Sequence, residues 1–145
     1  SDRVFNSRRG PVAGVLYGIM VVGSIASIFL LDSPLLGAMV IFLSLSVIGV
    51  HGMLSGTASM DFGGKKNVGI AVGIIDGFVY LGTFVMSMTY GVLLPDDKHH
   101  PEQAADPDNW IWWPGAMIPM ALIGLVLASR LWNAKPKPKG KPAEA

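Results

Sequence analysis

Apolar residues along this chain fall into four long runs separated by polar punctuation. The runs cover about 11–31, 35–56, 67–94 and 110–132. A helix needs about 20 apolar residues to cross a bilayer, so each run predicts a membrane span. Pro11 suits the start of the first, where a missing N–H costs nothing. Asp32-Ser33-Pro34 reads as a turn, and Ser59 to Asn67 as a polar loop carrying Gly63-Gly64 and Lys65-Lys66. Pro95 to Asn109 is hydrophilic and acidic, with little secondary-structure signal. Pro114 and Pro119 predict a kink in the fourth span. Lys135 to Lys141 alternates Lys with Pro and Gly, which predicts a disordered tail.

Within two of the runs the small and polar positions are ordered. Gly10, Gly14 and Gly18 recur every fourth residue, a spacing that lets a neighbouring backbone approach closely. In the third run, Gly69, Gly73, Asp76, Tyr80, Thr83 and Ser87 share one helical face. Lipid cannot satisfy such a stripe, so it must meet another helix or a watery cavity. Asp76 is the sharpest signal in the chain. A charge inside a span costs a few kcal/mol or more, and is by default a functional candidate.

Composition agrees with the membrane reading. The 145 residues are 51% hydrophobic and 14% charged, with mean hydropathy +0.49, whereas soluble domains carry roughly 25% charged residues. The absence of Cys excludes disulfides and thiolate metal sites. Arg3, Arg8, Arg9, Lys65, Lys66, Arg130 and the tail lysines flank the spans on one side. The other side holds Lys98 against Asp32, Asp96, Asp97, Glu102, Asp106 and Asp108. By the positive-inside rule both termini are expected in the cytoplasm, as an even number of spans requires. Trp110, Trp112, Trp113 and Trp132 stand where interfacial aromatic belts are expected.

The candidate chemistry is sparse. Asp76 reads as a substrate, ion or proton site, or else as a carboxyl that hydrogen-bonds a neighbouring helix and holds the bundle. Tyr80, one turn on, could donate to an anion or to Asp76, or simply pack. His51 shares a stripe with Ser44, Ile48 and Ser55. Its pKa range suits proton handling, although it lies near the expected cytoplasmic end of its span. Lys65 and Lys66 could draw anions to the cytoplasmic mouth or merely anchor the loop. Asp61-Phe62-Gly63 is isolated from any other kinase element. Gly64-Lys65 lacks the rest of a phosphate loop. His99-His100 lacks further metal ligands. With no nucleophile–base pair, nothing argues for an enzyme or a cofactor. The basic tail has no aromatic interleaving and suits anionic lipid better than nucleic acid.

The opening residues, Ser1-Asp2-Arg3-Val4-Phe5-Asn6-Ser7-Arg8-Arg9-Gly10, resemble the later part of the signature loop of the major facilitator superfamily. In its second copy that loop joins helices eight and nine. The resemblance therefore implies an all-α integral membrane fold, with these four spans as helices nine to twelve of twelve. Residues 1–10 would be the cytoplasmic signature loop, 11–133 the four-helix membrane segment and 134–145 the cytoplasmic tail. The chain starts abruptly in charged sequence without Met, so helices one to eight are expected to precede it. His51-Gly52-Met53-Leu54-Ser55-Gly56-Thr57-Ala58, Lys65-Lys66-Asn67-Val68-Gly69-Ile70-Ala71-Val72-Gly73 and Phe78-Val79-Tyr80-Leu81-Gly82 are similar to helices ten and eleven of the organophosphate:phosphate antiporters. That branch exchanges a phosphorylated metabolite for inorganic phosphate by alternating access, in the inner cell membrane. The resemblance makes Tyr80 a substrate contact and Asp2, Arg3, Arg8 and Arg9 a gating loop. Asp76 departs from it, because a carboxylate in a phosphate cavity repels its substrate unless protonated or paired. A proton-coupled symporter or exporter using Asp76, or a non-transporting sensor or structural subunit, is the alternative.

Overall fold

The computed structural model describes residues 8–134, apart from the side chains at positions 62, 64 and 65. Asp2, Arg3 and the tail from Lys135 onward lie outside the described residues. Everything described is helix or connection, with no strand among the described residues. Helix α1 is Arg9–Phe29 and α2 is Leu36–Gly52, continued by a π-helical turn, Met53–Ala58. Helix α3 is Ser59–Leu93, α4 is Pro101–Ala104, a 3₁₀ turn follows at Pro107–Trp110, and α5 is Trp112–Arg130. Four stretches are long and apolar enough to cross a membrane: Arg9–Phe29, Leu36–Asp61, Lys66–Leu93 and Pro107–Arg130. The protein is thus a multi-pass, all-helical membrane protein.

Helix α1 is the packed centre. It runs antiparallel to α5: Gly10 lies against the backbone of Leu131 and Trp132, Gly14 against the Trp132 ring, and Gly124 against the Tyr17 ring. It also runs antiparallel to α2, with Gly23 on Leu43 and Gly49 on Leu16. Two of the three glycines in the α1 repeat therefore serve a close approach. Gly18 does not, since a Cβ there would meet nothing within 4 Å. The start of α1 and the end of α5 consequently sit side by side. Pro11 is almost fully enclosed at that end, inside the first turn, where no N–H partner exists to be lost.

Between the second and third spans the polar connection is far shorter than the expected loop over 59–67. Helical backbone continues through Ser59–Leu93, yet the chain reverses inside it. Ser55 and Asp76 are 21 positions apart, which would separate them by about 31 Å along a straight helix, but their side chains touch at 2.8 Å. The reversal lies near Gly63, where an added Cβ would come within 3.1 Å of the Ala71 Cβ and 3.4 Å of the Val68 Cα. Gly63, expected in a loop, thus permits a tight turn.

One other expectation changes. The acidic outer segment is structured: Asp106 accepts from the N–H of Asp108 to cap the 3₁₀ turn, and the Trp110 indole donates to the Ala104 carbonyl at 2.9 Å. Helix α5 continues through Pro119, while Pro114 falls in its first turn and needs no N–H partner. Helix α3 is the least covered. No residue of its Lys66–Leu93 window is buried, and Ile70, Phe78 and Val92 are exposed apolar side chains suited to lipid or to further helices. Helix α3 therefore lies at the edge of the described bundle.

Candidate functional site

The two polar stripes face each other across the reversal. Ser44 and Ile48 of α2 line a cavity of about 640 Å³ together with Thr83, Ser87 and Tyr90 of α3 and Trp113 of α5. The Tyr90 hydroxyl closes its far end by donating to the Trp113 carbonyl at 2.9 Å. Outside that lining, toward the reversal, the Ser55 hydroxyl donates to Asp76 Oδ1 at 2.8 Å. Asp76 therefore meets the π turn, while exposed Thr83 and Ser87 line the open space between α2 and α3. Gly69 and Gly73 have nothing within 4 Å, and Tyr80 is 74% exposed, so their part of the stripe is uncovered.

Asp76 is half-buried and lies ten residues into the span that starts at Lys66. At 1.5 Å per residue that is about 15 Å, the middle of a hydrocarbon core about 30 Å thick. His51 joins the site through Ser55, with Nδ1 3.4 Å from the Ser55 oxygen. Ser55 has one hydroxyl proton. With that proton directed to Asp76, the His51–Ser55 link requires the proton to sit on Nδ1. The second candidate span extends to Asp61, so His51 stands ten residues, about 15 Å along the helix, from that end. Its ring is exposed.

The π turn delivers Ser55 to this position. Its bonds run i→i+5, a geometry found mostly as single-turn insertions in helices and frequently at functional sites. Nearby hydroxyls bond back to carbonyls of this turn: Thr57 donates to the Met53 carbonyl at 2.9 Å, and Ser59 to the Gly56 carbonyl at 2.9 Å and to that of Ser55.

At the end where α1 begins, Arg9 Nε donates to Asp61 Oδ2 at 2.8 Å, with the two side chains only 14% and 23% exposed. Arg8 donates to Asn133 Oδ1 at 3.3 Å. These two arginines thus tie the start of α1 to the second span and to the residues after α5. Lys66 is exposed, and the side chain of Lys65 lies outside those described. Sequence reasoning missed Asp61, whose signal was a carboxylate at a span end on the basic side, close to Lys65 and Lys66. It also noted Ser55 without recognising it as the partner of Asp76. A second cavity of about 400 Å³, between α1, the π turn and α5, is lined mainly by Ala13, Leu54, Ala58 and Leu127, with Arg9 at its rim. It lacks the converging polar groups of a specific site.

Compared with protein families, with characterised proteins and with solved structures, the chain matches none.

Proposed function

We propose that this chain is the C-terminal part of a secondary active transporter of the major facilitator type, exchanging a phosphorylated metabolite for inorganic phosphate. The observation that carries the reading is the half-buried Asp76–Ser55 pair, beside a polar face that includes exposed Tyr80. A polar face on a span calls for a cavity, and the resemblance supplies helices one to eight to enclose it. Substrate would contact Tyr80, while Arg8 and Arg9 would hold the inner end of the bundle as a latch. The test is phosphate counterflow in liposomes loaded with phosphate, using protein expressed from its complete reading frame. Entry of labelled phosphate, inhibited by one organic phosphate, supports the exchanger. No entry in folded protein refutes it.

A second reading is favoured by one feature of Asp76: it makes no ion pair among the described residues, and its partner is a neutral hydroxyl. A carboxyl so placed suits proton coupling. Uptake driven by a pH gradient and indifferent to phosphate would establish that alternative.

A further inference from the structure

We propose that His51, Ser55 and Asp76 form one proton-holding chain, and that a phosphate anion entering beside it binds together with a proton. The inference rests on the exchanger reading and adds how that site manages charge. A phosphate group carries about −1.5 to −2 charge at neutral pH. A carboxylate beside such an anion opposes it, and the described residues offer no cation as a partner to Asp76. The contacts supply another route to neutrality.

The transfer balances atom by atom. Exposed His51 takes a proton on Nε2 from water that reaches its ring, which gives an imidazolium with a proton on each nitrogen. The Nδ1 proton passes to the Ser55 oxygen 3.4 Å away. Ser55 passes its original proton to Asp76 Oδ1 at 2.8 Å. His51 ends neutral with its proton on Nε2, Ser55 regains one proton, and Asp76 becomes a neutral carboxylic acid. One proton has entered and the carboxylate charge is gone.

Few other groups compete for that proton. On α3 the next titratable side chain is exposed Tyr80. Helix α1, packed against α2 and the π turn, brings Tyr17, whose ring lies on Gly124, and Arg9, which is engaged with Asp61. The charged residue of α5 is Arg130, in its last turn.

The experiment uses protein from the complete reading frame in weakly buffered detergent, with inorganic phosphate as the probe. Proton uptake is followed with an indicator dye, and the protonated-carboxyl band by infrared difference spectroscopy. Phosphate should raise that band and draw protons from solution. Asp76→Asn should erase both the band and the Asp76-dependent uptake, and should tighten phosphate about tenfold above neutral pH, since a like charge nearby shifts such equilibria by a unit or more. Ser55→Ala should slow uptake about a hundredfold, the low end of what a positioned proton-transfer group contributes. Phosphate binding with identical proton uptake in wild type and Asp76→Asn overturns this inference and spares the exchanger. Absence of phosphate binding in folded wild-type protein overturns both.

Discussion

The packing of α1 on α5 is tested most sharply by Gly10→Ala. A Cβ at Gly10 would stand 2.3 Å from the Leu131 oxygen, 2.7 Å from its carbonyl carbon and 2.9 Å from the Trp132 Cα. A carbon–oxygen contact normally needs about 3.3 Å or more, so the helices must part by about 1 Å. All three opposing atoms are backbone, so no rotamer change relieves the clash. Overpacking of this kind costs about 1–3 kcal/mol, and rigid neighbours place Gly10 near the upper figure. Ala offsets part of this through its better helix propensity, worth about 0.5–1 kcal/mol in a helix interior and less in the first turn. The expected net loss is about 2 kcal/mol.

Gly18→Ala on the same helix is the control. Nothing lies within 4 Å of its Cβ position, so only the propensity gain of about 0.5–1 kcal/mol remains. The two substitutions are chemically identical and should differ by about 3 kcal/mol in opposite directions. Gly23→Ala should fall between them, because its Cβ meets the mobile end of Leu43 at 2.6 Å. Thermal unfolding in detergent, followed by tryptophan fluorescence, reads all three, with Trp132 as a reporter at the affected contact. If Gly10→Ala and Gly18→Ala came out within about 0.5 kcal/mol of each other, the scatter of uninvolved surface positions, the α1–α5 packing described here would be wrong.

Tyr90→Phe removes the hydroxyl that donates to the Trp113 carbonyl and should cost about 1 kcal/mol in the same unfolding assay; no loss would place that contact in doubt. The Arg9–Asp61 pair is mostly shielded, so a double-mutant cycle with Arg9→Ala and Asp61→Ala should give a coupling of about 1–2 kcal/mol, within the range for directly contacting residues. In the outer segment, His99 and the N–H of Lys98 hold the Asp96 carboxyl below its ordinary value. The stabilisation they confer is therefore present above the unfolded carboxylate pKa and lost as pH falls through the lowered native one. Hydrogen exchange at the Lys98 amide should quicken in that acidic window and be insensitive to pH there, after correction for intrinsic rates, in Asp96→Asn.

Much of this architecture was legible because bilayer physics writes it in one dimension. Span length and apolar content follow from hydrocarbon thickness, and the four runs did become four helices able to cross it. The connections were harder. Ser59 to Asn67 is polar enough to look like a loop, yet its backbone is helical up to a reversal that only Gly63 betrays. Propensity is a weak prior there, and packing overrides it. The glycine repeat of α1 shows the same limit. Spacing located the face, but whether Gly18 touches anything depends on where the crossing helix leaves it, and no periodicity in α1 encodes that.

The site divides along the same line. Each stripe was visible within its own span, because 3.6-residue periodicity is local. That the two stripes oppose each other depends on the register of the hairpin, set by a reversal of a few residues. It depends also on the π turn, whose altered bonding shifts the phase of the helix that a fixed period assumes. Asp76 illustrates the consequence. Sequence alone showed a carboxylate that needed a partner, and left open a cation from another helix or a neutral donor. The structure places a serine hydroxyl at 2.8 Å, with a histidine ring behind it. A cationic partner would have fixed Asp76 as an anion. A hydroxyl can donate to the carboxylate or accept from the protonated acid with little movement, so Asp76 is accommodated in either state. A carboxyl with two tolerated charge states at mid-membrane is compatible with carrying a proton or with admitting an anion, and the register of one hairpin makes both depend on Ser55.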